Sequence, residues 1–252
     1  MSTPLKPFKW YKRLATRNGR LEAEAFIVEG TRSINQLISN YPDEIIEILT
    51  IEEPLPAYSN YVVRLVTESQ FRYICHTRTP QGVMAVVRMP VDIWSDCLPD
   101  DIGNKILLLE DIQDPGNMGT LLRTAAAFNF SGAIMSENCA DPLSPKCVQA
   151  TMGTVLSIWL RRTTKYLELI SALRKGGYTI AATDLNGREE PALLYRQSKL
   201  LLALGNEAVG LSIAMLNLAN YRLRIPTIQE KAESLNVAAC GAICMYLSSQ
   251  KL

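Results

Sequence analysis

Short apolar runs and stretches of helical spacing alternate along the whole chain, and the plainest case is residues 106–130. Ile106, Leu107, Leu108 and Leu109 form an apolar run of the length of a buried strand. Asp114, Pro115, Gly116 and Asn117 follow, a cluster that cannot continue a strand. Beyond it Leu121, Leu122, Ala125, Ala126 and Phe128 recur at helical spacing. The pattern predicts a strand, a tight polar loop and a helix, with Asn117 as a candidate cap. Arg123 lies under two turns into that helix, and helical side chains lean toward the N-terminus, so it can reach the loop mouth. In an open α/β sheet, ligands bind at the carboxyl ends of the strands, where this loop falls.

The first half predicts a basic helix over 9–20, a strand over 26–28 and a helix over 33–39. Strands over 44–51 and 61–66 follow, then a short helix over 69–75 and a strand over 82–87. This βαβ-type alternation predicts a small α/β domain over residues 1–90. Pro90, Pro99 and four aspartates (Asp92, Asp96, Asp100, Asp101) mark a linker over 91–104. The second domain, 105–252, continues after its opening unit with strands over 133–135, 155–160, 178–183, 200–204 and 221–225. Helices are expected over 146–151, 166–175 and 234–247, the second closed by Gly176 and Gly177. The runs at 178–183 and 200–204 are apolar almost throughout, the signature of a parallel sheet covered on both faces.

Composition narrows the classes. Apolar residues make up 48% of the 252, enough for a sizeable core, and the formal net charge is only +1. The charge is unevenly spread. Residues 1–20 carry Lys6, Lys9, Lys12, Arg13, Arg17 and Arg20, no acidic residue, and Phe8, Trp10 and Tyr11 between them. Such an arm suits phosphate contact and base stacking, although a solvated terminal helix has the same composition. No secretory signal is visible, and the longest apolar block, 237–247, is too short to span a bilayer. Six cysteines form no CxxC pair, so a zinc site or disulfide framework is not expected, in keeping with a reducing cytoplasm. Cys240 and Cys244, four apart on one helix face, read as core. His76 is the only histidine and no serine elbow accompanies it, which argues against a Ser-His-Asp triad.

Three loops at strand ends carry candidate chemistry: residues 114–123, then 204–210, then Ile225 and Pro226 leading to 233–237. Gly205 and Gly210 allow close approach of a ligand to backbone. Ser234 suits a helix cap, with Asn236 just inside. No GK[ST] follows the glycines, and no GxGxxG follows a strand, so a P-loop nucleotidase and a Rossmann dehydrogenase are both disfavoured.

In this order the loops resemble the three motifs of the SpoU (TrmH-like) branch of the SPOUT methyltransferases. The first is carried by Asn117, Gly119 and Arg123. Gly205, Asn206, Glu207 and Gly210 carry the second, and Ile225, Pro226, Ser234, Leu235, Asn236 and Val237 the third. Ser144, Pro145 and Lys146 through Ala150, Thr151, Met152 and Gly153 add a supporting segment, with Gln149 where relatives often carry arginine. Thr227 stands where methionine is common. The likeness covers about residues 105–250. Arg13, Arg20, Phe26, Glu29, Gly30 and residues 79–83 are similar to the substrate-binding domain that many of these enzymes carry.

The resemblance implies transfer of a methyl group from S-adenosylmethionine to a ribose 2′-hydroxyl in RNA, by a cytoplasmic homodimer, with no metal and no membrane. It also implies a parallel sheet closed by a deep trefoil knot. For the cofactor it implies Leu204, Gly205, Asn206, Gly210, Ile225, Pro226, Leu235 and Ala239. For catalysis it implies Arg123, as a phosphate and alkoxide stabiliser because guanidinium stays protonated, with Asn117, Glu207, Ser234 and Asn236 orienting it or the ribose. Lys9, Lys12, Arg13, Arg17, Arg20 and Lys146 are the expected RNA contacts. Large-subunit ribosomal RNA is the expected substrate; tRNA and a non-catalytic assembly role are the alternatives.

Overall fold

The computed structural model describes residues 6–77, 79–90, 92–228, 230–231 and 234–250. The first five residues of the basic arm, Val91 at the start of the expected linker and Glu233 ahead of Ser234 lie outside the described residues. In chain order the elements are α1 (Phe8–Arg13), α2 (Arg17–Ala23), β1 (Ala25–Glu29), α3 (Thr31–Asn40), β2 (Ile45–Thr50), β3 (Val63–Leu65), α4 (Glu68–Ile74) and β4 (Val83–Arg88). Then come β5 (Lys105–Leu109), α5 (Pro115–Ala127), β6 (Gly132–Ser136), α6 (Pro145–Thr151), β7 (Trp159–Thr163), α7 (Tyr166–Lys175) and β8 (Thr179–Thr183). The last are β9 (Leu200–Leu204), α8 (Ile213–Leu218), β10 (Tyr221–Leu223) and α9 (Val237–Ser249). Contacts divide the chain into two compact units, Met1–Val91 with Asp141–Leu156, and Asp92–Ala140 with Ser157–Leu252.

The second unit is a six-stranded sheet in the order β10-β8-β9-β5-β6-β7, parallel at every pairing. Side chains alternate across it. Ile106, Leu108, Ile134, Ile180, Ala182, Leu201 and Ala203 share one buried cluster with Tyr166, Ile170 and Leu173 of α7 and Met215 of α8. On α9, a Cβ at Gly241 would stand 2.5 Å from Leu121 of α5 and 2.8 Å from Leu204 of β9, so glycine there lets α9 sit close against both. Burial on both faces explains why β8 and β9 read as nearly continuous apolar runs. The strand expected over 155–160 is displaced to β7. Arg161 is only 7% exposed. Its guanidinium donates to the Cys97 carbonyl at 2.7 Å and the Leu160 carbonyl at 2.9 Å. A buried arginine satisfied by main chain counts as polar in any apolar pattern. Helix α8 and the 3-10 turn Pro191–Arg196 were not expected.

The first unit holds a mixed sheet, β1-β4-β2-β3, in which β4 runs antiparallel to both β1 and β2 while β2 and β3 are parallel. Apolar alternation locates these strands but does not say that the last in sequence is central. The basic arm is two helices, not one. Thr16 caps α2, its hydroxyl accepting from the Gly19 amide at 3.1 Å. Residues 141–156, inside the expected second domain, cluster with this unit, and α6 packs on β1.

Arg20 accounts for part of that grouping. It is 1% exposed, not an RNA contact as its place in the basic arm implied. One guanidinium nitrogen donates to the Leu14 carbonyl at 2.9 Å and the Ala15 carbonyl at 2.9 Å, and the other pairs with Asp141. Tyr11, offered for stacking, is also buried, donating its hydroxyl to Glu47 at 2.8 Å. Removing one partner of a buried ion pair leaves the other uncompensated. Arg20→Ala is therefore expected to lower unfolding free energy by about 3 kcal/mol. Chemical denaturation checks this, and a variant as stable as the parent would refute the structural role.

Candidate active site

Helix α5 begins earlier than its apolar pattern implies. Asp114, not Asn117, is the cap: its carboxylate accepts from the Asn117 amide at 2.9 Å, and Pro115 occupies the first helical position. Asn117 thus lies in the first turn with its side chain free for other work. Its Nδ2 donates to Glu207 Oε1 at 3.0 Å, and its Oδ1 accepts from Asn236 Nδ2 at 3.0 Å. Glu207 belongs to the turn after β9, while Asn236 is the cap of α9. The Asn236 Oδ1 accepts from the amides of Ala238 at 2.8 Å and Ala239 at 3.4 Å. Three loops, far apart in sequence, are joined through one side-chain amide.

Burial by itself would raise the Glu207 pKa. Hydrogen bonds from the Asn117 side chain and from the backbone amides of Glu207, Gln113 and Asp114 outweigh it and hold the carboxyl below its usual range. Glu207 is accordingly ionised at neutral pH. Asn206 braces the same turn, accepting from the Ala208 amide at 2.9 Å and donating to the Asp111 carbonyl at 2.9 Å.

Below this link lies a cleft of about 680 Å³ formed by the chain ends after β8, β9 and β10. Gly205, Asn206, Gly210, Ile225 and Leu235, expected at the cofactor, line it, as do Glu207, Ser234 and Asn236. Leu204 is fully buried within β9, and Pro226 and Ala239 are not among the lining residues. Ser234 is exposed and does not cap α9; that role falls to Asn236, which was expected just inside the helix. The wall that sequence reasoning missed is Thr183, Asp184, Leu185 and Asn186 after β8. The signal was present, since polar residues follow an apolar strand there as at the other loops. Cys240, taken as core, also reaches this cleft.

Arg123 stands apart. It is exposed on α5 and, among the described residues, makes no hydrogen bond or ion pair; neither Asn117 nor Glu207 orients it. Lys9, Lys12, Arg13, Arg17 and Lys146 are exposed in the first unit. Arg13 pairs with Glu22 at 2.6 Å, and the Lys12 ammonium lies 4.2 Å from the Tyr73 ring centre.

The two roles of Asn236 separate by mutation. Asn236→Ala removes the cap and should cost about 1 kcal/mol of stability. Asn236→Asp keeps a good cap but sets a carboxylate oxygen against the Asn117 carbonyl oxygen, an acceptor facing an acceptor. Thermal unfolding should show Asp recovering most of the loss. Equal loss in both variants would mean that the bond to Asn117, not the cap, carries the contribution.

Residues 104–246 match the SpoU rRNA Methylase family, and residues 7–85 match the MRM3-like substrate binding domain. The chain is 28% identical to the 23S rRNA (guanosine(2553)-2′-O)-methyltransferase RlmP of Bacillus subtilis, over 94% of each chain. It is also 28% identical to the 23S rRNA (uridine(2479)-2′-O)-methyltransferase of Streptomyces viridochromogenes, over 94% of this chain and 87% of that one. Its fold is similar to an AdoMet-bound rRNA methyltransferase from Sinorhizobium meliloti, with a TM-score of 0.80, 28% identity, and coverage of 98% and 96% of the two chains. With motif loops, parallel sheet and family match in agreement, the chain belongs to the SpoU rRNA methylase family.

Proposed function

We propose that this protein transfers a methyl group from S-adenosylmethionine to a ribose 2′-hydroxyl of large-subunit ribosomal RNA. The observation that carries the reading is the bonded set of Glu207, Asn117 and Asn236, two of which line the cleft. The relatives that act on 23S rRNA, matched over nearly the whole chain, support the substrate class. The cleft fits the cofactor. Its volume falls within the range of roughly 300–1,000 Å³ usual for small-molecule sites. Its lining combines the backbone of the 205–211 turn with apolar Leu185, Val209, Ile225 and Leu235, a chemistry suited to a purine ring and a ribose edge. S-adenosylmethionine, when bound, supplies a methyl group on a sulfonium and therefore needs no further activation.

The chain's own residues have two tasks. The ribose must be held in line, and its hydroxyl oxygen must be stabilised as its proton leaves. Guanidinium does not deprotonate in proteins, so Arg123 is assigned the phosphate beside the target ribose and the charge developing on oxygen. Its freedom from internal partners among the described residues leaves its donors for RNA. Asn117 and Asn236 orient the ribose, with Ser234 beside them, and ionised Glu207 holds Asn117 in place. The exposed lysines and arginines of the first unit supply salt-sensitive affinity for phosphate. Ribosomal RNA as substrate assigns the protein to the cytoplasm; no helix among the described residues is long and apolar enough to cross a membrane.

The reading includes a homodimer and a knot. Helix α9 is apolar on every side, yet Ala239, Ile243 and Tyr246 face solvent. A helix of that kind is ordinarily covered, and a second copy is the cover assigned here. Support for the knot is the return of α9 against α5, β9 and the Pro191–Arg196 turn, the path a threaded C-terminal segment takes.

Labelled S-adenosylmethionine offered with unmodified large-subunit rRNA should yield alkali-resistant dinucleotides. Label only in tRNA would overturn the substrate assignment, and cofactor binding without label in any RNA would favour an assembly factor. Arg123→Ala should lower kcat by about a hundredfold or more while leaving cofactor affinity intact; parallel loss of both would point to misfolding. Ile243→Glu should convert the dimer to a monomer by light scattering, and an unchanged mass would remove α9 from the interface.

A further inference from the structure

Helix α3 breaks a local rule. Its inner residues Ser33, Ile34 and Leu37 are buried, and the helix packs on β1 and β4. Its outer face carries Arg32, Asn35, Gln36, Ser39 and Asn40, all exposed. The helix contains no acidic residue and one positive charge. A merely solvated face is usually built from lysine, glutamate and alanine, whereas asparagine and serine are poor helix formers that also compete for backbone hydrogen bonds. Ser39 and Asn40 turn back onto the helix, donating to the Asn35 carbonyl at 3.0 Å and the Gln36 carbonyl at 2.8 Å. The Asn35 and Gln36 side chains make no such bond among the described residues, and local choices of that kind gather at functional sites.

A second element completes the surface. Gly30, with φ at +94°, precedes α3, and Gln81 lies over it: a Cβ at Gly30 would stand 2.7 Å from Gln81 Oε1. Glycine at that position therefore lets Gln81 rest at the head of the helix. Thr31, Arg32, Asn35, Gln36, Ser39 and Gln81 together line a hollow of about 560 Å³. Among the described residues, the side chains of Arg32, Asn35, Gln36 and Gln81 make no hydrogen bond or ion pair. Three amides and a guanidinium thus stand side by side with their polar groups unspent.

We propose that this hollow reads unpaired bases of the RNA substrate and selects the site of modification. The inference rests on the methyltransferase reading and gives the substrate-binding segment, residues 7–85, its specificity residues. The chemistry favours bases over phosphate. A phosphate offers only acceptors and would leave each amide oxygen idle, whereas an amide pairs donor and acceptor with a base edge at once. Amides match adenine in this way, and guanidinium matches guanine. Single-stranded RNA opens those edges to side chains. A pyrimidine offers an amide a donor and acceptor on its Watson–Crick edge only, whereas adenine offers them on its Hoogsteen edge as well, so the ligand class is a purine-rich unpaired segment. A lining with no carboxylate and one cation complements RNA without gripping it indiscriminately.

The test uses the full chain and two measurements. Binding to short single-stranded purine and pyrimidine homopolymers is compared for the parent, for Arg32→Ala, and for a triple variant Asn35→Ala, Gln36→Ala, Gln81→Ala. The parent should prefer purines, and the triple variant should lose about tenfold or more in purine affinity with its salt dependence unchanged. Arg32→Ala should lose about tenfold in affinity for guanine-containing segments and relax the preference for guanine. Methylation of large-subunit rRNA should show a raised KM with kcat and cofactor affinity retained. Circular dichroism should show the fold retained and melting should be unchanged or slightly raised, because all four side chains are exposed and alanine is the better helix former. A triple variant that binds and methylates like the parent, or a parent without purine preference, overturns the inference. A lost preference in a protein that methylates no RNA would leave the binding site standing and remove the enzymatic reading instead.

Discussion

A primary amide has one donating end and one accepting end, and this constraint governs the site. Asn117 donates to Glu207 and accepts from Asn236. Its two neighbours are therefore not interchangeable: one must be an acceptor and the other a donor. Glu207 satisfies the first requirement because its carboxylate stays ionised, and Asn236 satisfies the second while its own oxygen is committed to the first amides of α9. Polarity thus runs in one direction from the β9 turn through α5 to α9. Any of the three loops, shifted alone, would leave a donor facing a donor or a group unpaired, which costs more than the bond itself contributes. The loops can hold such an arrangement because β5, β9, β8 and β10 are in parallel register and end at one side of the sheet.

The same arrangement explains why Arg123 remains uncommitted. An arginine paired internally with Glu207 would satisfy both groups and neutralise the site before RNA arrived. Glu207 is instead surrounded by neutral donors, the Asn117 amide and the backbone amides of Gln113 and Asp114. Neutral donors stabilise a carboxylate without consuming a cation. On the proposed reading, the guanidinium on the exposed side of α5 keeps its hydrogen bonds and its charge for a substrate phosphate, which accepts in the fork geometry that arginine presents.

Legibility in the sequence followed the kind of physics involved. Where periodicity and punctuation agree the reading is sharp: α7 occupies residues 166–175 as its spacing and the glycine pair after it require. β9 likewise coincides with its apolar run. Where a side chain's environment is tertiary the reading failed. Nothing local distinguishes Arg20, sealed against Asp141 from 121 positions away, from the exposed arginines beside it. Arg161 hid the continuation of β7 past residue 160 for the same reason. The site was legible as motifs, but their internal wiring was not. The sequence offers Asn117 and Ser234 as the caps, and only the structure shows that Asp114 releases Asn117 while Asn236, not Ser234, caps α9.

Charge is the remaining thread. A protein at net +1 has no general field to draw RNA, so contact must be local and selectivity must come from groups other than lysine. On the proposed reading, the first unit separates these functions among its own residues. Lysines and arginines lie on α1, α2 and α6, where they can meet phosphate at any sequence, while the outward face of α3 carries amides that respond to base identity. Withdrawal of Arg20 into the interior sharpens that separation, because a charge spent on Asp141 adds rigidity to the unit without adding unspecific affinity. A larger basic surface would bind more tightly but would bind any RNA. An enzyme required to modify one ribose among thousands is better served by modest charge and an uncharged reader, which is the combination this chain presents.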